Sequence, residues 1–170
     1  MLILYFGKTC RTRYRVDDVY YMSVSSFHFS PGAPILKSYN LVDWNYVGHS
    51  LPELPPRDRF SLDGKRPTAY GKGVWASTMK YRKSDGRFYF SSPIQGTDKT
   101  YLYTTKDPGD VWTAHPPLDH FCYDLGLFID DDDTLYLAYG TKTIEVAQLS
   151  QDGSSVVTSM VSFELLIHRV

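Results

Sequence analysis

The sequence predicts an all-β protein made of repeated sheet units, and three observations support this prediction. Aromatic residues make up 15% of the chain, with 14 Tyr among them, and aromatic side chains suit the half-buried surface of a pleated sheet. Pro and Gly are too dense between Leu51 and Gly73 for a long helix. A turn rich in Asp or Gly also recurs before strands of alternating polarity.

Each of these recurring turns predicts the start of a strand. The pairs are Asp17-Asp18 before "VYYMSVSS", Ser84-Asp85-Gly86 before "RFYFSSPI", and Asp131 to Asp133 before "TLYLAYG". Asp and Gly favour tight turns because they tolerate left-handed backbone and because Asp can bond its own backbone. The three stretches therefore mark corresponding points of three units.

A second pattern recurs after these strands, where a Trp follows a polar turn. The stretch "KSYNLVDW" ends at Trp44 and resembles "TKDPGDVW", which ends at Trp112. In each, a strand ends, a polar turn follows and the Trp opens the next strand. The stretch "TIEVAQLSQDGSSV" predicts a third hairpin at the corresponding place. Units of about 45 to 65 residues favour β-propeller blades of four strands each. A β-sandwich is the alternative, but it would not require the repetition.

The units are expected to form one partial β-propeller domain over residues 1–170. Propellers typically close with about four to eight blades, and three blades would leave costly unpaired sheet edges. The chain is therefore expected to be a truncated propeller. Its ends, residues 1–14 and 162–170, fit the blade pattern poorly and are predicted to be atypical.

Charge and cysteine content argue against several classes of function. The chain has 18 Lys and Arg against 19 Asp and Glu, a net charge of -1, so no surface for nucleic acid or an anionic membrane is predicted. No apolar run approaches the roughly 20 residues of a membrane span. Cys10 and Cys122 match neither a disulfide framework nor zinc spacing, and each is expected to be a small buried hydrophobe or a free thiol. The compartment stays open, since no convincing signal peptide is found.

Several ordered motifs give a more specific indication. The first unit contains "YYM", "SSFHFSPGAPI" and a Trp followed by "GHSL"; "WASTMKY" and "YDLGLFIDDDDTLYLAYG" come later. In order and spacing they resemble the "YYM", "SSF…PG.PI", "GHAL", "WAPTIRY" and "IDPSLFFDDDGRVYLTYG" segments of glycoside hydrolase family 43. The resemblance covers about Arg15 to Val157. It implies a five-bladed β-propeller, of which this chain holds about three blades. It also implies hydrolysis of β-xylosidic or α-L-arabinofuranosidic bonds in xylan- or arabinan-type glycans.

The resemblance further implies which carboxylates carry the chemistry. Inverting glycosidases use one carboxylic acid to protonate the leaving oxygen and one carboxylate to activate water, roughly 6.5 to 9.5 Å apart. The family adds a third carboxylate, which orients the acid and raises its pKa. Asp124 occupies the place of this third group, although Leu125-Gly126 follow it where the family more often has Pro-Ser. The alternative is that Asp124 is a plain turn residue.

The other two catalytic carboxylates are not found at their expected places. The general base falls at the position of Cys10, and "CRTRYRV" contains no carboxylate. We therefore expect that the base is missing or that the true N-terminus has been lost. The general acid belongs to a fourth blade, and Glu164 lies too early in the chain for that role. We therefore expect this chain to be inactive or nearly so, although its complete ancestor is expected to be a glycosidase.

Four further residues are predicted from the same resemblance to contact the sugar. Trp75 matches a sugar-facing Trp, Phe27 an aromatic residue of the sugar pocket, and Tyr123 a pocket residue beside the catalytic Asp. His28 is a candidate partner for a sugar hydroxyl. The structural alternatives are that Trp75 and Phe27 belong to the sheet core and that His28 is an ordinary loop histidine.

The four consecutive aspartates, Asp130 to Asp133, are expected to form only a polar turn. An EF-hand calcium loop would need Gly at its sixth position, where this chain has Leu135. The His residues also show no metal spacing, so neither a metal ligand nor a cofactor is predicted here. The resemblance implies that a complete propeller can hold calcium, with ligands largely in blades outside this chain.

Three functions remain open from the sequence. The first is part of a glycosidase acting on xylo- or arabino-oligosaccharides. The second is a non-catalytic module that binds carbohydrate through Trp75, Phe27 and Tyr123. The third is a structural or interaction protein on a propeller scaffold, because a fold alone does not fix a function. The sequence does not separate xylosidase from arabinofuranosidase.

Overall fold

The computed structural model describes residues 11–54, 60 and 70–164, and this part of the chain consists of β-strands and loops without a helix. The all-β prediction is therefore confirmed for the described residues. The strands are β1 Arg11–Val16, β2 Val19–Val24, β3 Gly32–Ser38, β4 Asn45–Leu51, β5 Thr78–Arg82, β6 Arg87–Ile94, β7 Lys99–Thr105, β8 Thr113–Ala114, β9 Gly126–Ile129, β10 Leu135–Gly140, β11 Thr143–Leu149 and β12 Val156–Glu164.

These strands form three four-stranded antiparallel sheets, each containing four consecutive strands in chain order. The predicted turns all lie between the first two strands of a sheet. Asp17-Asp18 joins β1 to β2, Ser84 to Gly86 joins β5 to β6, and Asp130 to Thr134 joins β9 to β10. We call this end of the sheets the turn end. The predicted hairpin at residues 143–156 is also present, as β11 and the start of β12.

The three sheets lie side by side around a common inner line. The first strand of the second sheet, β5, contacts the first strands of the other two sheets, β1 and β9. The alternating side chains of β6 consequently face two different neighbours. Phe88 and Phe90 pack in a core shared with the first sheet, whereas Tyr89 packs in a core shared with the third. This is the arrangement expected of consecutive propeller blades, and the number of blades in a closed ring stays a prediction.

The two Trp residues of the repeated motif take corresponding positions. Trp44 lies one residue before β4, and Trp112 lies one residue before β8, as the motif predicted. Trp112 is buried and meets the ring of Phe90 edge-on, with centroids 6.1 Å apart. Trp44 packs against a small apolar cluster in the first sheet. Each Trp therefore anchors the outermost strand of its sheet.

The ends of the chain take part in sheets as far as the structure describes them. β1 pairs with β2 from Arg11 onwards, and β12 pairs with β11 as far as Glu164. Residues 1–10 and 165–170 lie outside the described residues, so the predicted domain limits of 1–170 and the atypical ends stay predictions. In the described segments, no helix is long and apolar enough to cross a membrane.

The aspartate run forms the predicted turn, but one member does more than that. The carboxylate of Asp133 accepts hydrogen bonds from Arg82 Nε at 2.9 Å and Nη2 at 2.6 Å, and from Ser84 Oγ at 2.7 Å. Arg82 is only 4% exposed, and its Nη1 donates to the carbonyl oxygen of Gln151 at 2.6 Å. The expectation of a polar turn alone was too narrow, because Asp133 joins the third sheet to the second.

The ion pair shifts the pKa of both side chains, Arg82 and Asp133. Hydrogen bonding to Asp133 raises the pKa of Arg82 above its ordinary value, so the guanidinium stays charged although it is buried. The hydrogen bond from Arg82, and then that from Ser84, lowers the pKa of the Asp133 carboxyl. Bidentate Arg–carboxylate contacts fix geometry as well as charge. The turn end of the second and third sheets is therefore held by a directional ion pair.

Candidate functional site

A cavity of about 310 Å³ opens at the end of the sheets opposite the turn end. The segments that follow β2 and β6 and those that precede β5 and β9 contribute to its wall, so all three sheets meet here. We call this the cavity end. The lining residues are Ser25, Phe27, Trp75, Ala76, Pro93, Gln95, Tyr123 and Asp124. Four of the five predicted site residues, all except His28, therefore converge on one cavity.

Phe27 reaches the cavity through an unusual backbone conformation. Its φ is 52°, in the left-handed region, which is rare for a bulky residue and costly unless the surroundings enforce it. The Phe27 N–H donates to the carbonyl oxygen of Val74 at 2.9 Å. A Cβ on Gly73 would lie 1.8 Å from the Phe27 carbonyl oxygen, so only glycine permits this close approach. The first two sheets are thus joined by backbone beneath the cavity wall.

Trp75 has its polar atoms satisfied by the protein. Its indole Nε1 donates to the carbonyl oxygen of Gly71 at 2.8 Å, and its own carbonyl oxygen accepts from Ser25 Oγ at 2.5 Å. The side chain is partly exposed in the cavity wall. Because Nε1 is already paired, the indole offers the cavity ring surface and no free N–H. This leaves Trp75 suited to stacking and not to donating a hydrogen bond to a ligand.

Asp124 is exposed at the cavity and has a left-handed φ of 56°, which Asp tolerates better than most residues. Within the described part of the chain, its carboxylate accepts no hydrogen bond and makes no ion pair. It is also the only carboxylate among the described residues that line the cavity. Asp124 therefore offers an uncommitted negative charge to whatever the cavity holds.

The segment before Asp124 is held by one backbone–backbone hydrogen bond and by two hydrogen bonds of a buried threonine. The Tyr123 carbonyl oxygen accepts from the Gly140 N–H at 2.8 Å. The Thr100 hydroxyl donates to the His120 carbonyl oxygen at 2.7 Å and accepts from the Cys122 N–H at 2.9 Å. Thr100 is completely buried. Tyr123 remains 38% exposed, so the segment is anchored by its backbone while the phenol ring faces the cavity.

His28 lies outside the set of cavity-lining residues. Its ring stacks on Tyr70, with centroids 4.2 Å apart and an interplanar angle of 20°, and also meets Phe29. Within the described residues, Nδ1 of His28 is buried and has no hydrogen-bond partner. A hydrogen bond from His28 to a sugar hydroxyl would therefore have to use Nε2. The predicted contact between His28 and a sugar stays a prediction.

Sequence reasoning missed several residues of this site. Gln95 lines the cavity and can both donate to and accept from a ligand hydroxyl. Gly73 and Thr100 contact no cavity space themselves but fix the segments that do. The only signal for Gln95 is that it follows the alternating strand "RFYFSSPI", and nothing local distinguishes Thr100 from other strand threonines.

Few side chains in the described segments could ligate a metal together or act as a thiol. These residues contain no group of three or more His, Cys, Asp or Glu side chains that could hold a metal ion. Cys122 is a buried free cysteine, as predicted, and burial raises the pKa of its thiol. A thiol in that state is a poor nucleophile at neutral pH. Cys10 and the predicted place of the general base lie outside the described residues.

Comparison with known proteins gives consistent matches over most of the chain. The model of the glycosyl hydrolases family 43 matches residues 10–164. A xylan 1,3-β-xylosidase of Vibrio sp is 30% identical over 131 residues, which are 72% of this chain and 23% of that protein. A β-xylosidase of Bacillus subtilis is 33% identical over 130 residues, again 72% of this chain and 23% of that protein.

A solved structure agrees with the fold. It is a family 43 glycoside hydrolase with an engineered active site that displays both endo-xylanase and exo-arabinofuranosidase activity. The match has a TM-score of 0.80 and 44% sequence identity, and it covers 88% of this chain and 30% of that one. This chain therefore spans about a quarter of the length of the curated relatives and somewhat more of this structure.

Proposed function

The chain belongs to the glycosyl hydrolases family 43, and from its cavity we propose that it binds a sugar unit of a xylan- or arabinan-type glycan. The observation that carries this proposal is the convergence of Phe27, Trp75, Tyr123 and Asp124 on one cavity. These residues lie in segments that adjoin three different sheets and are up to about a hundred positions apart in sequence. Nothing in the packing of the sheets requires three partly exposed rings and an unpaired carboxylate at the same place.

The composition of the cavity wall suits a sugar. A pyranose or furanose ring has apolar C–H faces that stack on flat aromatic rings, and its hydroxyls need donors and acceptors at the edges. Trp75, Phe27 and Tyr123 supply the rings, while Gln95 and Asp124 supply polar groups. Binding sites for small ligands generally combine an apolar wall with a few polar groups that fix orientation.

We assign Asp124 the role of an orienting carboxylate. Hydrolysis with inversion needs a general acid and a general base on opposite sides of the glycosidic bond. A third carboxylate near the acid would raise the pKa of that acid by repulsion between like charges and would help hold it in place. Asp124 suits this role because its charge is exposed to the cavity and engaged by no cation of the described residues. The hydrolytic activity of the whole protein remains part of this proposal.

We propose that this chain by itself binds glycans without hydrolysing them appreciably. Asp124 is the single carboxylate of the described cavity wall, whereas the displacement needs two. The position expected for the general base carries Cys10, whose side chain is a thiol and not a carboxylate. Turnover of an aryl β-xyloside or an aryl α-arabinofuranoside by the purified chain would contradict this part of the proposal.

The binding proposal is tested by titrating the full chain with xylobiose and arabinobiose in a calorimeter. We expect one of these disaccharides to bind and Trp75→Ala to weaken that binding at least about tenfold, which corresponds to about 1.4 kcal/mol. Trp75→Phe keeps a flat ring and should retain most of the affinity. Thermal unfolding of each variant shows whether the fold is intact. Absence of binding by the unmodified chain, or equal affinity in Trp75→Ala, would refute the proposal.

A further inference from the structure

Two threonines of the second sheet bind the backbone on either side of Asp124. The hydroxyl of Thr100, on β7, accepts a hydrogen bond from the Cys122 N–H at 2.9 Å. The hydroxyl of Thr78, on β5, accepts one from the Leu127 N–H at 3.1 Å. Asp124 lies between these two N–H groups in sequence. A sheet to which Asp124 does not belong therefore holds the chain both before and after it.

These two hydrogen bonds are shielded from water. Thr78 and Thr100 are buried, and so are Cys122 and Leu127, which supply the N–H groups. A buried N–H that loses its acceptor is left unsatisfied, which is costly because water cannot easily replace the lost partner. Removal of either hydroxyl would therefore favour a shift of the backbone between the two N–H groups.

The side chain of Asp124 does not fix its own direction. Within the described part of the chain its carboxylate accepts no hydrogen bond, so the direction of the side chain follows from the backbone. That backbone has a φ of 56°, which Asp tolerates but which persists only where the surroundings enforce it. The next residue, Leu125, is buried in the core shared by the second and third sheets, but apolar packing is non-directional. The hydroxyls of Thr78 and Thr100 add directional contacts.

We propose that Thr78 and Thr100 are positioning residues, which hold the backbone of Asp124 so that its carboxylate faces the cavity. Neither threonine lines the cavity, so each acts on a bound sugar only through the segment that it holds. The inference rests on the proposed function of the cavity and adds that the second sheet orients a carboxylate adjoining the third. Loss of either hydroxyl should therefore weaken sugar binding only while Asp124 keeps its carboxylate.

A double-mutant cycle tests this dependence, with the disaccharide that binds the unmodified chain as the ligand. Calorimetry gives its dissociation constant for Thr78→Val, Thr100→Val, Asp124→Gly and the two combined variants. Val has the shape of Thr without the hydroxyl, and Gly removes the carboxylate while accepting left-handed backbone. We expect each Val substitution to weaken binding at least about fivefold in the unmodified chain, but less than about twofold when combined with Asp124→Gly.

Conservative and matched variants separate positioning from general destabilisation. Thr78→Ser and Thr100→Ser keep the hydroxyls and should retain the affinity of the unmodified chain. Thr104 is also a buried threonine of β7, but its hydroxyl pairs with Nε2 of His115 at 2.9 Å. Thr104→Val should leave the dissociation constant unchanged. Thermal unfolding shows which variants are folded, and either Val variant at position 78 or 100 tests the inference by itself.

The backbone of Asp124 is measured separately by NMR in the absence of any ligand. The Cα and Cβ chemical shifts of Asp124 should report left-handed backbone in the unmodified chain and in Thr104→Val. They should change in Thr78→Val and in Thr100→Val. Unchanged shifts in both of these variants would overturn the inference, because the hydroxyls would then not position Asp124.

The outcomes separate this inference from the proposed function. If the disaccharide binds and Trp75→Ala weakens it, but the Val substitutions have no effect or the same effect with and without the Asp124 carboxylate, the positioning is refuted and the cavity assignment stands. If no disaccharide binds, the proposed function fails and the chemical shifts of Asp124 decide alone. A change in those shifts then supports the positioning, and the absence of a change refutes it.

Discussion

The cavity end and the turn end of the sheets hold their aspartates in opposite ways. At the turn end, Asp133 is engaged by Arg82 and Ser84 through three hydrogen bonds. At the cavity end, Asp124 belongs to the same sheet, yet in the described part of the chain its carboxylate has no partner. The difference teaches that the carboxylate with strong partners serves the fold, whereas the one without them remains available for a ligand.

The two ends also use different means of holding neighbouring sheets together. The turn end relies on the side chain of Arg82, which reaches from the second sheet to Asp133 and the Gln151 carbonyl oxygen. The cavity end relies on backbone, with Phe27 bonded to Val74 across the space that Gly73 leaves. Holding the sheets by backbone leaves the aromatic side chains above it free to face the cavity. The following predictions test this contrast, beginning with the largest effect.

Gly73→Ala is expected to have the largest effect on stability. The added Cβ would lie 1.8 Å from the Phe27 carbonyl oxygen, so the backbone at the cavity end would have to move. We expect a loss of about 3 kcal/mol in the free energy of unfolding, measured by urea denaturation, together with loss of disaccharide binding. Gly126→Ala is the matched control, since a Cβ there meets nothing within 4 Å. Equal stability of the two variants would show that the cavity end does not depend on this approach.

Arg82→Ala is expected to cost about 2 to 3 kcal/mol, somewhat less than the Gly73 change. The substitution removes a buried guanidinium, so the Gln151 carbonyl oxygen loses this donor and Asp133 keeps only the hydrogen bond from Ser84. Asp133 is partly exposed, so water can replace some of the lost bonds. Lys83→Ala is the control, since Lys83 is the exposed neighbour of Arg82. This substitution should change the free energy of unfolding by less than about 0.5 kcal/mol. Disaccharide affinity should be unchanged in both variants, and a loss in Arg82→Ala would contradict the separation of the two ends.

The smallest predicted effects are those of substitutions at Asp133 and Asp124, whose stability should depend differently on pH. The pKa of Asp133 is lower in the folded protein than its ordinary value near 3.8. Its contribution to stability is therefore fully present above the unfolded pKa and is lost as the pH falls through the folded pKa. Asp133→Asn should be less stable than the unmodified chain at pH 7, and the difference should shrink below about pH 4.

Asp124→Asn should behave differently in the same measurement. Asn tolerates left-handed backbone about as well as Asp, and no described partner is lost, so the free energy of unfolding should change by less than about 0.5 kcal/mol. Denaturation curves recorded from pH 3 to pH 7 compare both variants with the unmodified chain. A pH-dependent loss in Asp124→Asn as large as that in Asp133→Asn would show that Asp124 also serves the fold.

Local sequence was sufficient to predict several strands and the turns that precede them. The acidic turns at Asp17, Ser84 to Gly86 and Asp131 to Asp133 each lie where a strand pair turns. Turn chemistry and alternation act over a few residues, so they are visible in sequence. The residues of the candidate site, Phe27, Trp75, Tyr123 and Asp124, were predicted from a family resemblance and not from a local pattern. The structure places these four residues around one cavity, and their roles stay predictions.

The pairing of distant residues could not be predicted in this way. Asp133 was expected to be an unremarkable member of an acidic turn, yet it binds Arg82, which lies 51 positions earlier in the chain. The stacking of His28 on Tyr70 has the same origin, since these residues are far apart in sequence and meet only in the fold. Neither contact leaves a local pattern, because the partner belongs to another sheet or to a connecting segment.

The sequence by itself determined the strands, their turns and the repetition of the units, because these depend on short-range preferences of backbone and side chain. Only the tertiary structure decided which aspartate is committed to an ion pair and which is left open at the cavity. It also decided which aromatic rings are buried and which remain exposed. Those outcomes depend on how the sheets lie against one another, and this arrangement brings together residues that no local spacing relates.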